Sequence, residues 1–314
     1  MATPLLQSIP GAIKPGERFD QPDWDVIADW VSRNSDHDKA DRIWTELAVQ
    51  WIDSLITQLP GGYSRFESTE FLLLANCDPR RAKRLLDCCE YSRRTILELL
   101  DGVARDVGFG KHVVFAFPDI DTYYDYISDF YPEEGEFGLS AGIFLNRGYG
   151  HFAICMAYGN ENDRIIAHEL NHALVRHLPL PLWLNEGVTQ VIEDSVVGSS
   201  HFFVNAEIVR RHRDYWDRDS IHYFWSGESF QFADDGQELS YHLAQVLFRN
   251  LMSDYRRKVN DFLNTANYLD SGNGALIQTC GVSLADRVTQ FLGDGPWAPR
   301  SNYQYFETNP ATIE

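Results

Sequence analysis

The stretch HELNH, residues 168–172, lies within ENDRIIAHELNHALVRHL, residues 161–178. Asn160, Glu161, Asn162 and Asp163 supply caps and acidic first-turn residues, which satisfy free N–H groups and suit the positive end of a helix. At about 100° per residue, Ile166, Leu170, Ala173 and Leu174 form a core stripe, while His168 and His172 project together from the opposite side. Two imidazoles one turn apart can take adjacent corners of a tetrahedral Zn2+ site. Glu169, a step round the helix, then reaches a water on the metal without binding the metal itself. Zinc lowers the pKa of such a water towards about 7, and the carboxylate takes its proton as it attacks a carbonyl.

With ten histidines in 314 residues, HExxH arises by chance in on the order of two chains in a hundred of this composition, so the pentapeptide needs support from elsewhere. PLWLNEG, residues 181–187, offers it. Glu186 opens the next helix, thirteen residues separate it from His172, and Pro179 and Pro181 force a turn between them. Two helices joined in that way can return a carboxylate to the two imidazoles.

HELNH followed by WLNEG resembles the gluzincin metallopeptidases, which hold zinc with two histidines and a glutamate. It is most similar to the peptidase-MA or aminopeptidase-N-like superfamily, where a Trp-Leu-Asn-Glu-Gly segment carries the third ligand. The resemblance covers residues 160–195. It implies His168, His172 and Glu186 as zinc ligands, Glu169 as general base, and a zincin-like fold. The chain departs from the aminopeptidase pattern in its shorter spacing to Glu186, which looks more like the small peptidase-MA-like relatives. It also lacks a Gly-x-Met-Glu-Asn segment, reading Met156-Ala157-Tyr158-Gly159-Asn160 before the helix.

ELSYHLAQVLFRNLM, residues 238–252, is similar to the superfamily helix that begins with a tyrosine aimed at the metal. The resemblance makes Tyr241 the donor that stabilises the oxyanion of the tetrahedral intermediate. His242, His222 and His201 are rivals for that role, each read more simply as a surface or packed ring. His177 falls on the core side of its helix. Gln190 and Glu193 compete to orient a ligand histidine through its free N–H.

The rest of the chain limits what such a site can belong to. A formal net charge of −19 excludes nucleic acid and anionic membrane as partners, because both need clustered Lys and Arg. No segment is apolar for long enough to span a bilayer, and MATPLLQSIPGAIKPGERF lacks the charge and apolar run of a leader, which predicts a soluble cytoplasmic protein. Five cysteines without CxxC spacing support neither a disulfide framework nor a thiolate metal site. The partner expected is a peptide or protein substrate; the oligomeric state has no signature.

The patterning predicts helices near 23–33, 39–58 and 78–105, strands in RFESTEFLLLA and HVVFAF, a Tyr-rich helix near 119–130, and two strands joined at Arg147-Gly148. Further helices are expected at 182–196, 203–216, 236–254, 257–267 and 283–292. The division that follows is an N-terminal arm with helices (1–60), an α/β lobe carrying HELNH (61–178) and a helical lobe carrying Glu186 (179–314). The fold class is α+β: a small mixed sheet with an exposed edge strand over the active helix, then helices, with zinc in the cleft.

Zinc-dependent peptide-bond hydrolysis is the function these residues predict. The strand just before the active helix, around Gly150–Tyr158, is expected to have an open edge on which an extended substrate pairs. GHFAICMAY carries no acid to hold a free α-amino group, and Glu161 serves the helix dipole. An endopeptidase or selective processing enzyme therefore fits better than a general aminopeptidase. The alternatives are a catalytically silent binding or scaffold protein of zincin fold and a zinc hydrolase of a non-peptide amide.

Overall fold

The computed structural model of the protein describes residues 5–16, 18–130, 141–146 and 148–304. A short helix α1 (Leu5–Ser8) leads into two-residue strands β1 (Ile13–Lys14) and β2 (Gln21–Pro22), which pair antiparallel. Two amphipathic helices follow, α2 (Trp24–Asn34) and α3 (His37–Ile56). Asp23 caps α2 by accepting the N–H of Val26 at 3.3 Å.

RFESTEFLLLA is not one strand but two, β3 (Ser64–Glu67) and β4 (Phe71–Ala75), paired antiparallel from Ser64↔Ala75 to Glu67↔Leu72. The polar Ser68-Thr69-Glu70 makes the turn, and Ser68 N–H donates to Phe71 O at 2.9 Å. The helix expected over 78–105 is α4 (Pro79–Leu99); the chain leaves it in a turn where Gly102 has φ +73°. Then come β5 (His112–Phe117), α5 (Ile120–Ile127), β6 (Gly142–Leu145), β7 (His151–Cys155) and α6 (Asn162–Val175).

The five-stranded sheet has the order β3-β4-β5-β7-β6. β4, β5 and β7 run parallel, while β3 and β6 are antiparallel to their neighbours at the two edges. FLLLA and HFAIC are buried at every position, as strands covered on both faces must be. Expectation and structure part here: the strand immediately before α6 has no open edge, because β5 pairs with one side of β7 and β6 with the other. The edge on that side belongs to β6. β6 and β7 do pair antiparallel, with Gly142↔Ile154 and Leu145↔His151, while Arg147 of their junction lies outside the described residues.

One face of this sheet meets α2, α3 and α5 through Ile27, Trp51, Phe115, Tyr126 and Leu145. The helices of the first sixty residues thus share a core with the sheet. The described residues form two compact units, one within 5–94 and 106–173 and the other within 95–105 and 174–304. The division cuts through α4 and α6.

The second unit is helical: α7 (Leu182–Val197), α8 (Ala206–Tyr215), α9 (Ser220–Ser226), α10 (Asp235–Tyr255), α11 (Val259–Thr265), α12 (Asn273–Cys280) and α13 (Leu284–Leu292). Patterning did not anticipate α9 and α12, which are seven and eight residues long and too short to display a period. α7 packs along α10, with Leu239, Leu243, Val246 and Leu247 buried. No helix among the described residues is long and apolar enough to cross a membrane. All five cysteines are free thiols.

Candidate metal centre

A 3-10 turn, Met156–Glu161, leads from β7 into α6, and Arg81 donates to the carbonyl of Met156 at 3.1 Å. The helix therefore begins at Asn162 with Asp163 in its first turn. Glu161 lies before the helix rather than in it, largely exposed and 3.6 Å from Arg164. The side chain of Asn160, expected as a cap, lies outside the described residues. Ile166, Leu170, Ala173 and Leu174 are buried, so the stripe read from the sequence is the core face. His168 and His172 are half-buried, with Nε2 of one 3.1 Å from Nε2 of the other.

α7 starts at Leu182, where the carbonyl of Pro181 accepts the N–H groups of Leu184 and Asn185 at 3.0 Å. Four letters of WLNEG have separate physical tasks. Trp183 is fully buried and donates its indole N–H to Ser271 O at 3.0 Å, while Leu184 fills core. Gly187 admits α10: a Cβ there would stand 2.7 Å from the carbonyl oxygen of Ala244 and 3.1 Å from Cβ of Phe248. Between them, Glu186 is buried, and one ligand atom from each of His168, His172 and Glu186 lies within 4.8 Å of the others.

Two imidazoles and a carboxylate are a donor set of the kind that zinc takes. Zn–N and Zn–O lengths of about 2.0–2.2 Å separate adjacent corners of a tetrahedron by roughly 3.3 Å, close to the spacing of the two imidazole nitrogens. Two neutral imidazoles and one carboxylate leave a fourth corner for water or substrate.

Glu169 is buried to 9 % exposure, on the side of α6 facing the sheet. Its carboxylate lies beside Gly142 of β6, and it forms part of the wall of a small apolar cavity with Phe152, Ile154, Cys89, Ile166 and Leu170. Sequence reading passed over both Gly142 and Gly187. Their signal was available, since a glycine inside a strand or helix often marks a close approach, but the approaching group is not named by the sequence.

Tyr241 sits in the second turn of α10, half-buried, with its ring 5.0 Å from that of Phe230. Gln190 Nε2 donates to the Tyr241 carbonyl at 3.3 Å, which ties α7 to α10 at the level of Tyr241. Glu193 is buried farther along α7. His222 Nδ1 is 2.8 Å from the hydroxyl of Tyr303, His242 is bonded to His212, and His201 is exposed. His177 is not on the core side of a helix, because α6 ends at Val175; it stands half-buried in the link, where burial and then Arg105 lower its pKa.

Comparison with protein-family models and with curated proteins finds no match to this chain.

Proposed function

We propose that the protein is a zinc-dependent peptidase that cuts within peptide chains, as an endopeptidase or a selective processing enzyme. The observation that carries the reading is the meeting of His168, His172 and Glu186, with a glutamate next to the first histidine. The resemblance of HELNH and WLNEG to the gluzincins supports the same roles. Zinc, when bound, supplies a Lewis acid that makes water acidic near neutral pH and polarises the scissile carbonyl.

The remaining work falls to side chains. His168, His172 and Glu186 would hold the metal. Glu169 accepts the proton of the attacking water and passes it to the leaving amine. Tyr241 is the donor proposed for the oxyanion, held to α7 through its own carbonyl by Gln190. β6, the edge strand nearest Glu169 among the described residues, is where an extended peptide would add as a further strand. Gly142, Ile143, Phe144 and Leu145 carry no carboxylate that would anchor a free α-amino group, which favours cleavage inside a chain. Five free thiols suit a reducing compartment and the cytoplasm.

The test is a comparison of peptide termini. A pool of proteome-derived peptides is incubated with the zinc-loaded protein, with the chelated protein and with Glu169→Gln. New internal termini made by the zinc-loaded wild type alone are expected. Identical termini in all three samples would reject the reading.

A further inference from the structure

β6 alternates between the two faces of the sheet. Leu145 enters the core shared with α3 and α5, and Ile143 packs against it. Phe144 points the other way, its ring 5.1 Å from that of Phe152. Two residues earlier on that same face the row of side chains stops, at Gly142. Backbone conformation does not require glycine here. Gly142 is in paired, extended chain opposite Ile154 and is absent from the glycines with positive φ. In such a position glycine weakens a strand and usually marks a close approach.

The approach is made by α6. A Cβ on Gly142 would stand 2.3 Å from Cγ2 of Ile165, a distance no pair of carbons tolerates, and 3.4 Å and 3.5 Å from Cγ and Oε1 of Glu169. Ile165 and Glu169 are four residues apart on α6, so one turn of the helix presses both against the same gap. Cγ2 is attached directly to Cβ, and a β-branched residue in a helix keeps essentially one χ1 rotamer. Moving Cγ2 aside therefore takes Ile165 out of that rotamer. A side chain at 142 would displace the helix, and Glu169 with it.

We propose that Gly142 and Ile165 are a positioning pair for Glu169. Ile165 seats on the bare backbone of the edge strand, and that seat sets the distance from the strand to the carboxylate. The role rests on Glu169 being the base of the hydrolysis proposed above. Misplacing a catalytic group by about 1 Å costs on the order of a hundredfold in rate. Neither residue touches the reacting atoms; both act through the placement of α6.

The test compares wild type, Gly142→Ala, Ile165→Ala and the double variant, with a pool of internally quenched peptides as probe. Gly142→Ala is expected to lower kcat on the order of a hundredfold, with KM and zinc content unchanged. The double variant, in which the colliding methyl is gone, is expected to recover most of that loss. A Gly142→Ala protein as fast as wild type, or a double variant no faster than Gly142→Ala, overturns the role. Thermal unfolding of the same four proteins reads the seat without any activity: Gly142→Ala lowers Tm and Ile165→Ala in addition raises it again, whereas two additive losses overturn the contact. Wild type that cleaves no peptide overturns the hydrolase reading itself. Coupled melting with unchanged kcat overturns the positioning role alone.

Discussion

His212 and His242 stand 2.8 Å apart, Nε2 to Nδ1, in a chain of hydrogen bonds whose direction is set at both ends. The indole N–H of Trp216 only donates, and it donates to Nδ1 of His212 at 3.0 Å. The carbonyl of Phe203 only accepts, and it lies 3.0 Å from Nε2 of His242. Each imidazole therefore carries one proton, on Nε2, and both rings are neutral. Burial, then His242 and Arg211, push the pKa of His212 down to about 3. Burial lowers that of His242 as well, opposed by its bond to Phe203 and by Glu238.

His151 is held in the same way in the other unit. Its ring accepts from the hydroxyl of Tyr126 at 2.7 Å and donates to the carbonyl of Tyr149 at 2.9 Å, and burial lowers its pKa to about 4. The unfolded chain binds protons at His151 and His212 near pH 6.5, while the folded chain does not until about pH 4 and about pH 3 respectively. Their contribution to stability is thus complete above about pH 6.5 and is lost as the pH falls towards those values. For His151 and His212 the slope approaches about 1.4 kcal/mol per pH unit each. Denaturant unfolding at pH 7.5 and pH 5 should show a clearly lower midpoint at pH 5, before carboxylates with ordinary pKa values are protonated. Equal midpoints would mean that these rings are already protonated in the folded protein.

The purified protein is expected to bind about one zinc ion per chain. Removing one of three protein ligands from a catalytic site should cost most of the affinity, so His172→Ala should emerge with little zinc by metal analysis. Full zinc content in that variant would exclude His172 as a ligand.

Glu169→Gln keeps the size of the side chain but cannot accept a proton, and it should abolish turnover while zinc stays in place. Tyr241→Phe should be milder, lowering kcat on the order of a hundredfold with substrate binding little changed, as for other single oxyanion donors. An unaffected kcat would leave Tyr241 as a packing residue against Phe230.

Peptides with acetylated N-termini should be cut as fast as those with free ones, since β6 bears no acid to hold an amine. Paired free and acetylated substrates, followed by mass spectrometry, decide this. Release of single residues from free termini alone would point to an acidic anchor elsewhere, Glu161 among the candidates.

The local parts of this protein were legible before folding was considered. Helical spacing separates Ile166, Leu170, Ala173 and Leu174 from His168 and His172, and burial follows that division because a helix has one dry face. Apolar runs place strands at FLLLA, HVVFAF and HFAIC, and HExxH with a downstream WLNEG points to His168, His172 and Glu186, whose ligand atoms lie within 4.8 Å of one another. The class α+β follows from the same patterns. What tertiary structure alone decided depends on pairings between distant segments. HFAIC reads identically whether its second edge is open or covered, and only its pairing with GIFL makes β6, not β7, the edge strand among the described residues. RFESTEFLLLA needed the register Ser64↔Ala75 to become a hairpin. Gly142 and Gly187 are single letters until α6 and α10 press against them, because steric clearance is a property of two segments in contact and periodicity is a property of one.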